Sequence, residues 1–376
     1  MSSSRGGRPF WFLIRVALFL LVFGVLAEVW MRTVTPASQT PVYEQQPAAV
    51  FHFDPHVFSS GLVTIGRLCR CGGQWRVNNA GWNSVVDYQP AAVRGRPLVA
   101  LFGDSYVEAM GTNASQHVDA YLPKMLPGTS AYAFGASAWY LEQYVAVSRY
   151  VRDRFQPDVL VVLLDVSDVS DSLKANCTPS PYWWQIDARG SSFAEVPPAA
   201  VYSASRKALL AKRSALLDYL RFNAKLTLPG MHAAGIPQPA TGPGAAGEGD
   251  AAAAAAPDNG AWRALLPAAR FMVRRLAEQH PGVPVIFAAQ SDRYLPLADI
   301  ARTPLFPDGR AVQVACEGIP QCSFIDLRYA FSRDWAAHRV PFEATDGVHW
   351  NAYANRLVAK TLAAFITSRH LLRTGE

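Results

Sequence analysis

The stretch "RPLVALFGDSYVEAMGTN", residues 96–113, decides how this chain is read. An apolar run, Leu98 to Phe102, ends abruptly in Gly103-Asp104-Ser105, and the residues beyond Ser105 read as a helix. Ser and Asp are favoured helix caps, so the plain reading is a cap. The other reading is a nucleophile at a strand-to-helix turn, where backbone N–H groups face the oxyanion that its attack creates. A partner elsewhere in the chain has to separate the two.

That partner lies in "FEATDGVHWNAYANRLVAKTLAAFI", residues 342–366. Asp346 and His349 sit three apart in a short loop, Thr345 to Asn351, ahead of an amphipathic helix. In a tight turn a carboxylate reaches an imidazole at this spacing, fixes its tautomer and stabilises the cation it forms. The plain reading makes Asp346 a cap and His349 a surface residue. Ser105 and this loop both fall at junctions on the edge of a sheet where such folds carry their sites, and that coincidence favours a Ser-His-Asp arrangement.

The rest of the chain supports the sheet. Apolar runs at Pro97–Phe102, Ala131–Phe134, Asp158–Leu164, Val283–Ala288 and Ser323–Leu327 read as strands. Helical patterns cover Ala138–Arg154, Ser205–Phe222, Trp262–Gln279 and Trp350–His370. In the third of these, Leu265, Leu266, Ala269, Val273 and Leu276 recur at helical spacing among arginines. Buried strands alternating with amphipathic helices predict a parallel sheet between helical layers.

Here the chain resembles the SGNH, or GDSL-type, hydrolase superfamily. Gly103-Asp104-Ser105 matches its nucleophile block and "DGVHWN" its closing block. The stretch 131–168, "AYAFGASAWYLEQYVAVSRYVRDRFQPDVLVVLLDVSD", is similar to the region of the second and third blocks. The resemblance covers roughly residues 76 to 370. "RVNNAGWNS", residues 76–84, and an N-terminal apolar segment are similar to the exported bacterial branch, some of whose members add or remove acyl groups on surface polysaccharides. It implies a flavodoxin-like α/β/α sandwich with a mostly parallel five-stranded sheet. It also implies ester chemistry with Ser105 as nucleophile, His349 as base and Asp346 as its orienter. The oxyanion donors would be the N–H groups of Ser105 and Gly135 and a third group. Where the family has Asn-Asp, this chain has Ser167-Asp168; a Ser hydroxyl donates but reaches less far than an amide. Ser167 or Asn176 would have to supply that donor. Asp104 and Asp168 are expected as structural neighbours of the site, and Tyr106 stands where Leu is common.

The N-terminus reads as a polar lead, residues 1–9, then an apolar segment, 10–31, framed by Trp11 and Trp30. If Arg15 and Glu28 snorkel, Phe10 to Met31 spans a bilayer; cleavage after Ala27 is the alternative, and the framing aromatics favour an anchor. Basic residues precede the segment, which places the remainder outside the cytoplasm, on the periplasmic side of a bacterial inner membrane. Residues 32–60 read as a linker, 61–376 as the main domain, and 233–260 as a low-complexity insertion without the apolar content to fold.

Half of the 376 residues are apolar and the formal net charge is +6. Basic residues form no stripe with aromatics, so no nucleic-acid partner is expected. Cys316 and Cys322 flank a short loop that a disulfide can close. Cys69 and Cys71 are too close to pair with each other, so one of them is a candidate partner for Cys177. Asp165, Asp168 and Asp171 are spaced by three, without the glycine-containing loop of a calcium site, and His52 and His56 flank Pro55; no metal is expected at either. Trp183-Trp184 read as core or, less favourably, as a sugar platform. No phosphate-binding, zinc-protease or dinucleotide motif occurs, so no cofactor is expected. The expected partners are an acylated glycan or small ester, the membrane through the N-terminal segment, and envelope-polysaccharide machinery. The expected activity is hydrolysis of ester-linked O-acyl groups on a cell-envelope glycan; transfer of the acyl group to a sugar hydroxyl and a non-catalytic scaffold or binding role are the alternatives.

Overall fold

In a computed structural model the described residues are 7–45, 50–173, 181–190, 192–226 and 260–372. Helix α1, Gly7–Thr33, has its apolar side chains exposed along most of its length and meets the domain at its C-terminal end. It is long and apolar enough to cross a membrane.

The region after it is not the linker that its Pro, Thr and Gln content suggests. Strands β1, Tyr43–Gln45, and β2, Phe51–Phe53, pair antiparallel, and Val42, Tyr43, Val50, Phe51 and Phe53 are buried, all but Val42 within the larger of the two core clusters. Polar composition misled here because the few apolar residues are large aromatics in alternation. β3, Ser60–Ile65, and β4, Arg70–Arg76, form an antiparallel hairpin. A short helix, α2 (Ala91–Arg94), precedes the sheet.

Five strands make the central sheet: β5 (Leu98–Gly103), β6 (Ser130–Gly135), β7 (Val159–Leu164), β10 (Val285–Ala289) and β11 (Cys322–Asp326), all parallel. A separate hairpin, β8 (Gln185–Arg189) with β9 (Ser192–Val196), lies between β7 and β10 in the chain. The sheet order is β11-β10-β7-β5-β6. Numbered within the sheet this is the 2-1-3-4-5 winding, which changes direction between β5 and β7.

The strands alternate between two cores. Leu98, Ala100 and Phe102 face α5 (Leu141–Phe155), α8 (Trp262–Gln279) and α10 (Pro307–Cys316). Val99 and Leu101 face α4 (Val118–Met125), α11 (Arg328–His338) and α12 (Ala352–Ser368). Helices α3 (Ser105–Glu108) and α9 (Leu297–Ile300) are single turns. The predicted Trp262–Gln279 helix has those bounds, whereas the helix expected over Ser205–Phe222 is broken. It divides into α6 (Arg206–Ala211), α7 (Ala215–Asp218) and a π-helical turn, Tyr219–Asn223. Ser214 interrupts it by capping α7 with its own side chain. Helices α4, α10 and α11 were not expected from the sequence. Cys316 and Cys322 are bonded; Cys69 and Cys71 are free thiols, and Cys177 lies outside the described residues. The low-complexity stretch also lies outside them, apart from Gly260.

Candidate active site

β5 delivers Ser105 to the carboxyl edge of the sheet at the switch point. Asp104, not Ser105, is the cap of α3: its Oδ1 accepts from the Tyr106 N–H at 3.0 Å. The capping role being taken, the Ser105 hydroxyl turns to His349, whose Nε2 lies 2.8 Å from Oγ. Close packing requires the two glycines at the strand ends. A Cβ on Gly103 would stand 2.4 Å from Val107, and one on Gly135 would stand 2.6 Å from Val107 and 2.9 Å from the Gly103 carbonyl. The turn that begins at Ser105 thus sits directly on the ends of β5 and β6.

The loop carrying His349 is closed by Asp346. Its Oδ1 accepts from the N–H groups of Val348 and His349, both at 3.0 Å, and Oδ2 lies 2.6 Å from His349 Nδ1. Gly347, at φ +77°, allows the turn. Asn351, not Asp346, caps α12, accepting from Ala354 N–H at 2.9 Å. Burial pushes the Asp346 carboxyl up, but the hydrogen bond and charge of His349 and the two N–H donors bring it down to about 2. Burial pulls His349 down; Asp346 outweighs it, aided by the charges of Asp104 and Glu108, and the imidazole stands above its usual value. Ser105, His349 and Asp346 therefore form a continuous line of contacts.

Three acids lie behind Ser105. Asp168 is 2 % exposed, and it accepts from Asp165 N–H at 2.8 Å and from the Tyr144 hydroxyl at 3.0 Å. Burial, together with the charge of Asp165, pushes Asp104 up to about 7. Asp165 accepts from Gln290 Nε2 at 2.7 Å. Asp168 thus ties the residues after β7 to Tyr144 of α5, and Asp104 caps the turn after β5. Ser167 lies in the turn after β7. Its carbonyl accepts from Asp171 N–H at 2.8 Å and from the Ser170 hydroxyl at 3.1 Å, so it shapes this turn. Asn176 lies outside the described residues.

Sequence reasoning missed Arg293 and Glu108 and gave Tyr106 no partner. The Tyr106 ring packs against His349, centroids 5.2 Å apart, and against Trp350 at 4.9 Å. Arg293 donates to the Tyr106 hydroxyl at 2.7 Å and to Glu343 at 3.0 Å, tying the residue after Ser105 to the loop that carries His349. Glu108, 3 % exposed, accepts from the hydroxyls of Tyr43 and Ser137. Arg293 carried no local signal, because it follows β10, far from either block. Trp183 is buried against Tyr140, and Trp184 is covered by the Arg149 guanidinium at 4.5 Å. The pair packs against protein groups.

No family model and no curated protein matches the chain. Among solved structures it is similar to a lipase/acylhydrolase from Enterococcus faecalis, at 14 % identity, TM-score 0.34, covering 74 % of this chain and 99 % of that one. It is similar to TesA at 13 % identity and TM-score 0.35, over 73 % of this chain and 99 % of that one. A third is an acetyl xylan esterase, Est2A, from Butyrivibrio proteoclasticus, at 10 % identity and TM-score 0.34, over 73 % and 64 %.

Proposed function

We propose that the protein is a membrane-anchored serine enzyme that cleaves or transfers ester-linked acyl groups through an acyl-enzyme. The observation that carries this reading is the 2.8 Å contact between Ser105 Oγ and His349 Nε2, with Asp346 2.6 Å behind Nδ1. In the first step His349 takes the Ser105 proton as Oγ attacks the acyl carbon. The imidazolium, stabilised by Asp346, then protonates the leaving alcohol. In the second step water, or another hydroxyl, gives its proton to His349 and attacks the acyl-Ser105 carbon; the acyl–Oγ bond breaks and His349 returns the proton to Ser105 Oγ. The N–H groups of Ser105 and Gly135 are the proposed oxyanion donors, with Ser167 the candidate for a third.

The substrate proposed is an O-acyl group on an envelope glycan, outside the cytoplasm. The resemblance to the exported branch and the basic lead before an apolar helix support it. A glycan hydroxyl as acceptor makes the enzyme a transferase with the same first step. The full chain should react covalently with a fluorophosphonate at Ser105 and hydrolyse a chromogenic acetyl ester, and Ser105→Ala should do neither. Absence of both in the unmodified chain would leave a binding or scaffold role.

A further inference from the structure

The end of α1 is built into the domain. Glu28 accepts from the Ser214 hydroxyl at 2.8 Å and from the N–H groups of Ala215 and Leu216, both at 2.9 Å, so it occupies the N-terminus of α7. Arg32, one turn on, pairs with Glu28 and donates to the Arg213 carbonyl. By Gln39 the chain has joined β3, whose Leu62 carbonyl accepts its N–H at 2.8 Å. The hairpin tip is fixed to the same assembly: Tyr219 donates to the Arg67 carbonyl at 3.2 Å, and Asn223 to the Gly66 carbonyl at 3.1 Å. Residues 206–226 and the β3–β4 tip therefore surround the point where the apolar helix ends. If α1 lies in a bilayer, this face of the domain has no spacer to hold it away.

The chemistry of that face suits a lipid surface. Segment 201–226 contains six Lys or Arg residues and one acid, Asp218, an excess of five positive charges in a chain whose net charge is +6. Arg206, Arg213 and Lys225 are exposed, as are Arg67 and Arg70 on the hairpin tip. Among them stand exposed apolar side chains: Val34, Leu68 (79 % exposed), Leu210 (66 %) and Leu226. A recess of about 270 Å³ in this face is lined by Arg32, Lys212 and Arg213, with Gln39, Phe58 and Asp218. Cations interleaved with apolar side chains next to a membrane helix match headgroup phosphates above acyl chains.

We propose that this collar rests on the bilayer and binds the headgroups of anionic phospholipids, holding the domain in one orientation on its membrane. The inference rests on α1 lying in the bilayer and is independent of the chemistry at Ser105.

The test uses the full chain in nanodiscs of phosphatidylcholine, with or without phosphatidylglycerol, and follows hydrogen exchange of peptides covering 60–76 and 206–226. Exchange should slow about threefold or more when phosphatidylglycerol is present, and about 0.5 M salt should abolish the effect by screening. The triple variant Arg206→Glu, Arg213→Glu, Lys225→Glu should lose the lipid dependence while keeping its melting temperature. Equal exchange in both discs would overturn the proposal, as would a lipid response unchanged in the triple variant. Failure of the chain to co-elute with discs would remove its premise. Slowing by a soluble acidic polysaccharide in phosphatidylcholine discs, without a lipid response, would assign the collar to glycan instead.

Discussion

Glu108, the last residue of the turn that begins at Ser105, accepts the backbone N–H of Ser137 at 3.1 Å, two residues beyond Gly135. It also accepts the Ser137 and Tyr43 hydroxyls. One buried carboxylate thereby joins the turn that begins at Ser105, the loop after β6 and the N-terminal β1. Burial pushes its pKa up, while the hydrogen bonds from Ser137 and Tyr43 work against that shift.

If Gly135 supplies an oxyanion donor, Glu108 positions it. Glu108→Gln keeps the shape but sets an amide N–H₂ against donors, so the loop should move. A displacement of about 1 Å at a reacting centre costs on the order of 100-fold. The expected result is a kcat lower by about that factor with KM little changed. Glu108→Ala, which leaves buried hydroxyls unpaired, should cost roughly 1–3 kcal/mol of stability in urea unfolding. An unchanged kcat in Glu108→Gln would mean that the loop holds its place without this bond.

In the proposed mechanism Asp346 and His349 set the pH dependence. Only neutral His349 accepts the Ser105 proton, so kcat/KM should rise with pH along a limb displaced upward from 6.5, the ordinary imidazole value. Asp346→Asn removes the charge and, with its Oδ1 kept on the two backbone N–H groups, sets an amide N–H₂ against His349 Nδ1, so the limb should move to lower pH, and the wrong tautomer should lower kcat by about 10⁴. The stability signs come from linkage. Asp346, lowered to about 2, contributes stability above 3.8 that is lost as the pH falls through about 2. His349, raised, contributes below its unfolded value and loses that contribution as the pH rises through its folded one. Both describe one pair. A rate–pH profile of the two proteins beside their urea midpoints checks both.

The Cys316–Cys322 bond joins the end of α10 to the first residue of β11. Closing so short a loop removes little unfolded-state entropy, worth about 2 kcal/mol. Cys316→Ser should therefore lower unfolding free energy by about that amount and leave fluorophosphonate labelling intact, since the bond lies at the amino end of β11, opposite the edge that carries Ser105.

Much of this was legible because the sheet strands are fully apolar and the two blocks are local. "FGDS" ends a buried strand, and "DGVH" closes on itself through its own backbone. What was hidden depends on contacts between distant segments. The aromatic residues of 43–53 gain their meaning only against Trp82, Tyr88 and the α5 layer. Arg293 acts through Tyr106, and Glu108 through Ser137, pairings that no periodicity encodes. The short helix α4 carries Pro123, which reads as a breaker. Ser214 ends a helical pattern by hydrogen bonding to its own next turn, and composition alone does not announce this.

Ser167 poses the sharpest test of the reading. Its carbonyl is committed to the turn through Asp171 and Ser170. Asp168 behind it is fixed by the Asp165 N–H and Tyr144, so the turn is held whatever side chain stands at 167. An Asn there adds an amide donor and leaves the backbone of the turn in place. Loss of one oxyanion donor costs about 100- to 1000-fold. If Ser167 is a weak third donor, Ser167→Asn should raise kcat on a chromogenic acetyl ester by about tenfold or more, and Ser167→Ala should lower it by less than the loss of a full donor. A gain in Asn with the melting temperature unchanged would place residue 167 at the oxyanion. If Ser167→Asn and Ser167→Ala both match the unmodified chain, the donor comes from elsewhere, and residue 167 serves only the turn after β7.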